Sequence, residues 1–447
     1  MFKKIKSPYI AIAIAVLFTS CSSDNNDVVV IPESNNPAAY NSDVVVSWFN
    51  LIKVLTTETA GYTPPVAARA FGYTGVALYE AVHVGMEDKS SLSGRLSGLN
   101  LEPTYLEELE YHWPTVVNTT LANMTKSFYS NASLNNYSSI LDLEAQYNDQ
   151  FMNEIDEEVM NRSIAYAHNL VDKILLWSST DGGFGAQFNN FPPEYEPLEG
   201  DQYWKPTAPG QRALQPYWGN NRPMIVLNVQ NCIPVNPPVY DTDASSVFMQ
   251  RAFSVYEVVN NITPAQIVIA EFWSDDPQTS ATPPGHSIAI LNQLINDENV
   301  DLFTASELFA KLSISINDAF ISCWKVKYDT NYPRPVTIIN RLIDENWETI
   351  LDTPPFPEYT SGHSVQSGAL AYILTSAFGE DYSFTDRTHE NRKDIDGTPR
   401  NYDTFYDMAE EAAISRLYGG IHFQEAIDLG LDQGYQIGEN IINLFEN

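Results

Sequence analysis

Five side chains stand out for the chemistry they could perform together. Lys327 and Arg334 lie in KYDTNYPRP with six residues between them, His363 follows Ser361 and Gly362 in PEYTSGHSVQSGA, and Arg416 and His422 lie in SRLYGGIH with five residues between them. A helix starting near Ser361 presents unpaired backbone N–H groups and the positive end of its dipole. Gly362 permits close approach and the Ser361 hydroxyl adds a donor, so this junction can cradle an oxyanion. Two guanidinium forks suit a tetrahedral oxyanion, and Lys327 supplies a mobile point charge. His363 can then pass protons, while His422 can act as nucleophile or metal ligand. Taken singly, these segments read as a capped turn, a surface helix and a solvated helix end. Their order and spacing, within 96 residues of an otherwise acidic chain, give them meaning.

Such segments need helices to hold them. TPAQIVIAEFW places Thr263 to cap, Pro264 at the first helical position and Gln266 to close a capping box. TASELFAKLSISINDAFISCWKVK opens in the same way with Thr304 and Glu307, and sets Leu308, Leu312, Ala319 and Trp324 near one face. The run from Ser364 stops at Gly379, and Thr404 with Asp407 precedes a helix through Arg416. Strand-like alternation is scarce. Residues 178 to 245 are rich in Gly, Pro, Asn and Trp, which predicts a long irregular connection laid over the surface. The reading is an all-α protein of helical bundles, with an N-terminal half over 46–244 that includes this connection and a C-terminal catalytic half over 245–447.

Composition narrows the partners. The chain has 447 residues, 44% hydrophobic and 12% aromatic, enough to bury large cores. With 57 acidic against 24 basic residues its net charge is -33, a soluble coat that repels nucleic acid and anionic lipid. At the N-terminus, Lys3, Lys4 and Lys6 precede an apolar stretch from Ile10 to Phe18 that is too short to span a bilayer, and LFTSC ends at Cys21. This resembles a bacterial lipoprotein signal. It implies a signal peptide over residues 1–20, a lipid anchor at Cys21 as the sole membrane attachment, and a flexible tether over 21–45. The expected location is exported, in the cell envelope or secreted, and the expected state is a monomer. Only Cys232 and Cys323 remain downstream, which allows one disulfide and excludes a zinc–thiolate site by count.

The three segments together resemble the signature of the superfamily that joins type-2 phosphatidic acid phosphatases with vanadium-dependent haloperoxidases. AEFWSDDPQTSATPPGHS (270–287) is similar to the Trp-rich segment that haloperoxidase-like members carry ahead of the lysine. Trp324, Phe356 and PPVAARAFGYTGVALYEAVH (64–83) favour the same branch, nearest the bacterial iodide-oxidising type. The resemblance implies one vanadate, bonded to His422 and neutralised by Lys327, Arg334 and Arg416, with Ser361 and the Gly362 amide holding further oxygens. His363 is then the acid–base residue, Lys327 polarises bound peroxide, and Trp324 and Phe356 line the halide pocket. Hydrogen peroxide and halide, iodide foremost and bromide next, are the implied substrates.

Thr360 stands where that family usually has proline, and as a helix-capping residue type it is expected to do little harm. Ala426 replaces an aspartate common four residues after the second histidine, which leaves Glu425 or Asp428 to orient His422. Asp275 is the expected acidic partner of His363. His286 reads as a helix-start or pocket-wall residue, His83 and His168 as locally hydrogen-bonded, and His112 and His389 as members of polar stretches. The competing enzyme reading is an exported acid phosphatase that forms a phosphohistidine at His422, and the non-enzyme reading is a tethered oxyanion-binding protein.

Overall fold

The computed structural model describes residues 36–102 and 104–446. The expected signal peptide, Cys21 and the first part of the tether lie outside the described residues. From Asn36 the chain is folded: a short 3-10 turn at Pro37–Ala39 leads into the first helix at Asp43, so the expected tether end at residue 45 falls inside a helix.

In chain order the helices are α1 (Asp43–Glu58), α2 (Pro64–Val82), α3 (Trp113–Phe128), α4 (Leu134–Phe151), α5 (Glu157–Ser178), α6 (Leu227–Gln230), α7 (Val247–Asn260), α8 (Pro264–Phe272), α9 (Thr282–Asp297), α10 (Leu302–Thr330), α11 (Pro335–Leu342), α12 (Gly362–Phe378), α13 (Phe405–Tyr418) and α14 (Gln424–Glu446). Two short strands, β1 (Phe384–Asp386) and β2 (Arg400–Tyr402), pair antiparallel with Phe384 opposite Tyr402. The all-α expectation holds. No helix among the described residues is long and apolar enough to cross a membrane.

The local signals explain most boundaries. Thr263 and Gln266 form the expected capping box at α8, as do Thr404 and Asp407 at α13, and α12 ends at Gly379 with φ 102°. The start of α10 differs from expectation. Asp301 is the cap, accepting from the Thr304 amide at 3.0 Å, because a carboxylate immediately before the first helical residue, Leu302, outcompetes the threonine.

The helix α10 is central rather than one-faced. It packs along α2, and both are buried on nearly every side. Several of their polar residues therefore find partners inside the protein: Ser306 and Ser315 donate to carbonyls of their own helix, while Asp318 accepts from the Met224 and Ile225 amides and from Asn228. The largest core draws on both sequence halves, from Trp48, Phe71 and Trp113 to Phe309, Leu370 and Ile437. A smaller core joins Phe248, Val255, Ile338, Trp347, Leu417 and Phe423 around α7, α11 and α13.

The connection over 178–245 does more than cover the surface. Trp204, Trp218 and Met224 are at most 2% exposed, and the Leu214 amide donates to Pro355 at 2.8 Å. Bulky apolar side chains in an irregular segment drive it inward, where it walls the site below. Close backbone approach matters most between α12 and α14. A Cβ on Gly434 would stand 2.2 Å from the Val365 carbonyl oxygen, and one on Gly368 2.7 Å from that of Leu431. The two glycines thereby bring the start of α12, with Ser361 to His363, against the start of α14 beside His422.

Candidate active site

The three charged segments converge where α10 ends and α12 begins. Lys327 lies in the last turn of α10, Arg334 caps α11, Ser361 caps α12, Arg416 lies in the last turn of α13, and His422 precedes α14. Lys327, Arg334 and Ser361 are 0% exposed, and Arg416 and His422 are at most 3%. A cavity of about 330 Å³ opens onto Gly362, His363, Arg416 and His422, with Trp324 and Phe356 in its wall at a ring separation of 4.8 Å. Segments far from the motif complete it: Thr63 and Pro64, Phe191 and Leu214, and the prolines at 354 and 355. Only tertiary packing brings these together.

His422 is the best-defined group. Its Nδ1 donates to Glu358 Oε1 at 2.8 Å, and the same oxygen accepts from the Phe423 amide at 2.9 Å. This leaves the Nε2 lone pair facing Arg334 Nη1 at 3.3 Å. Burial, then Arg334, Lys327, Arg416 and His363, hold its pKa well below the ordinary histidine range, so the imidazole is neutral and free to ligate. The expected partners do not perform this role. Glu425 pairs with Arg251 and Asp428 accepts from Gln424. Glu358 was the missed residue; a carboxylate five residues before His363 in a Pro-rich approach to a helix was its one sequence signal.

Arg334 donates through Nε to Phe356 O at 2.9 Å and through Nη1 to Ile421 O at 2.8 Å. Its Nη2 is buried with no hydrogen-bond partner. Such a guanidinium nitrogen is costly unless an acceptor comes to it, and an oxyanion ligand is that acceptor. Arg416 donates to Ala270 O at 3.2 Å and places Nη1 3.3 Å from His363 Nε2. Burial pushes both arginines down to about 10, which leaves them charged at neutral pH.

His363 has a different acidic neighbourhood from the one expected. It hydrogen-bonds the Trp273 backbone, so Nε2 carries the lone pair toward Arg416. Burial and then Arg416 hold its pKa well below the ordinary value, with Asp275 acting in opposition. Asp275 lines the same cavity but bonds His286 at 2.7 Å rather than His363, because the imidazole of His286 reaches it from α9.

Lys327 also departs from the expected direct contact with an oxyanion. Its three protons go to the carbonyls of Pro357 at 3.0 Å, Glu358 at 2.9 Å and Thr360, which shapes the segment leading into Ser361. Burial pushes it down to about 8. In this arrangement its charge acts on the site through the loop, and direct donation would require release of one carbonyl. Ser361 accepts from the Ser364 amide at 3.3 Å as the helix cap, so its hydroxyl proton is left to donate. Cys323 and Cys232 are both free and buried, without the disulfide their count allowed.

The other histidines divide. His83 meets the Glu80 carbonyl at 3.2 Å, as local bonding predicts. His112, from a polar stretch, is buried against Thr115, and burial lowers it to about 4. His286 is more than a wall: Asp275 and Asp386 each hold one ring nitrogen at 2.7 Å.

The VCPO second helical-bundle domain family matches residues 307–447, the stretch that carries Lys327 through His422. No curated protein matches the chain. Among solved structures, the first bacterial vanadium-dependent iodoperoxidase superposes with a TM-score of 0.81 and 32% identity, over 90% of this chain and 96% of that one. The chain belongs to the vanadium-dependent haloperoxidase family. Two structures of bacterial vanadium-dependent chloroperoxidase, holo and apo, share its fold at TM-scores of 0.69 and 0.64 and 15% and 14% identity. They cover 91% and 86% of this haloperoxidase-family chain and 98% and 94% of their own.

Proposed function

We propose that the protein oxidises halide with hydrogen peroxide at a vanadate held in the 330 Å³ cavity, with iodide as preferred halide. The observation that carries this is the neutral His422: its Nδ1 proton is fixed on Glu358 and its Nε2 lone pair sits beside a guanidinium whose Nη2 has no partner. These residues fit a tetrahedral oxyanion. His422 would ligate through Nε2, Arg334 and Arg416 would balance the charge, and the Ser361 hydroxyl and Gly362 amide would hold further oxygens. Vanadate, when bound, supplies the Lewis-acidic centre that makes the peroxide oxygen electrophilic toward halide. The overall change is balanced as hydrogen peroxide, halide and a proton giving hypohalous acid and water.

The chain itself binds, orients and moves protons. His363, neutral at Nε2, accepts a proton there from incoming hydrogen peroxide and returns it to the leaving oxygen. The ring of Phe356 lies 4.9 Å from the Arg334 guanidinium, and with Trp324 it keeps bulk water from the charged wall, so each fixed donor acts more strongly. Iodide preference rests on the 32% identity to an iodoperoxidase over most of both chains. Export and lipid attachment at Cys21 belong to the same proposal, supported by the basic and apolar N-terminal pattern, and a monomeric state is proposed with them.

The test is to load the purified protein with vanadate and follow peroxide-dependent oxidation of iodide, bromide and chloride beside hydrolysis of a phosphate monoester. Iodide oxidation that needs both vanadate and peroxide is expected. Monoester hydrolysis without halide oxidation would replace this reading with the phosphatase one.

A further inference from the structure

A second buried cluster lies beside the active cavity and shares only Asp275 with its lining. Asp275 comes from the segment after α8, His286 from the first turns of α9, Asp386 from β1, and His389 from the stretch between β1 and β2. All four side chains are at most 3% exposed. His286 Nδ1 meets Asp275 Oδ2 and Nε2 meets Asp386 Oδ2, each at 2.7 Å. The remaining pair behaves differently. Asp275 Oδ1 and His389 Nε2 stand 3.2 Å apart, yet neither has a hydrogen-bond partner. Two buried polar atoms held this close in an ion-pair contact, but out of hydrogen-bond alignment, can share a cation that lies off the line between them.

The geometry suits a cation. One ligand atom each from Asp275, His286 and His389 lies within 4.8 Å of the others. Ligands on a tetrahedral cation with bonds of about 2.0–2.1 Å stand about 3.3 Å apart, close to what Asp275 Oδ1 and His389 Nε2 already show. Asp386 on the far nitrogen of His286 adds the carboxylate–histidine arrangement that orients metal-bound imidazoles. Charge points the same way. Two carboxylates at most 1% exposed face this imidazole, and a dication neutralises both where an imidazolium neutralises one. A second cavity, of about 340 Å³ and lined by Asp275, Ser280, His286 and His389, leads to the cluster and has room for a water ligand.

We propose that Asp275, His286 and His389 form a binding site for a divalent transition-metal cation of the zinc class, separate from the oxyanion site at His422. Two nitrogens and a carboxylate oxygen are the donor set for such a metal. His286 turns the Nδ1 lone pair to the cation and keeps Nε2–H on Asp386, releasing one proton on uptake. The consequence reaches the active cavity. Trp273 stacks on His286 at 4.4 Å and 15°, and the Trp273 backbone holds His363, so the cation braces the segment that positions the acid–base residue.

The test is metal binding by the purified full chain after exhaustive dialysis against chelator. Zinc titrated by calorimetry, with the visible d–d bands of cobalt as second readout, should bind at one equivalent and raise the melting temperature. His389→Gln should weaken zinc about 100-fold, the range set by loss of a metal-orienting or ligating group, while His422→Ala should bind it as the parent does. Circular dichroism and the melting transition establish that both variants are folded, and His389→Ala replaces the glutamine variant if the latter is not. Absence of zinc and cobalt binding in the parent would overturn the proposal. So would parent-like zinc affinity in the folded His389 variant, or loss of zinc binding in His422→Ala alone.

Discussion

Truncating Glu358 separates orientation from charge at the ligand histidine. In Glu358→Ala, the His422 Nδ1–H and the Phe423 amide both lose their buried acceptor, while the carbonyl of residue 358 still accepts from Lys327. Loss of a hydrogen bond to a charged group costs about 1.5–3 kcal/mol. At about 1.4 kcal/mol per tenfold, this converts to roughly 10–100-fold in vanadate affinity if the whole loss falls on the aim of Nε2. One effect opposes it: above pH about 7, where Glu358 is ionised, it is an anion beside an anion site, and its removal favours oxyanion binding. Glu358→Gln isolates that term, because its amide oxygen can still accept from both donors while the negative charge is gone. The alanine variant should therefore bind vanadate roughly 10–100-fold more weakly, and the glutamine variant as tightly as the parent or more so. Equilibrium dialysis of folded, vanadate-free protein measures both. If both variants stay within about threefold of the parent, less than ~0.7 kcal/mol, the orienting role is refuted.

Further outcomes follow from the same geometry. Burial raises Glu358 from 4.5 to about 7 against the pull of Arg334 and Lys327, so the folded state holds its proton more tightly and its ionisation opposes folding as pH climbs from 4.5 to 7. Glu358→Gln should accordingly be most stabilised relative to the parent at and above pH about 7, and this gain should vanish toward pH 4.5, read as the difference in melting temperature between the two proteins. His422→Ala should abolish vanadate retention, whereas His363→Ala should keep most of the retention and lose turnover; retained vanadate in the first would remove the ligand assignment. Arg334→Met deletes the unpartnered Nη2 and should weaken vanadate by about 30-fold or more, equivalent to at least ~2 kcal/mol for a buried charge partner. Gly434→Ala forces a Cβ to 2.2 Å from the Val365 carbonyl oxygen and should lower the urea midpoint by an amount worth about 1–3 kcal/mol, with loss of vanadate affinity as α14 shifts from α12.

Local chemistry was legible in the chain itself. Capping boxes at Thr263 and Thr404, the stop at Gly379, the scarcity of strands and the segments holding Lys327, Arg334, His363, Arg416 and His422 depend on neighbours a few residues apart. The pairing of distant groups did not. Glu358 rather than Glu425 orients His422 because a fixed side-chain direction, set by the fold around α14, decides which carboxylate meets Nδ1. Asp275 turns to His286 and His389 because α9 and the β1–β2 stretch deliver two imidazoles to it, from 11 residues away in one case and from the far side of α12 in the other. Lys327 spends its protons on loop carbonyls because a buried ammonium takes the nearest fixed acceptors. Residue type sets what a side chain can donate, accept or ligate, and short spacing sets its local conformation. Which partner it finds is a matter of position to within about half an ångström, and that is determined only when separate helices pack into one core.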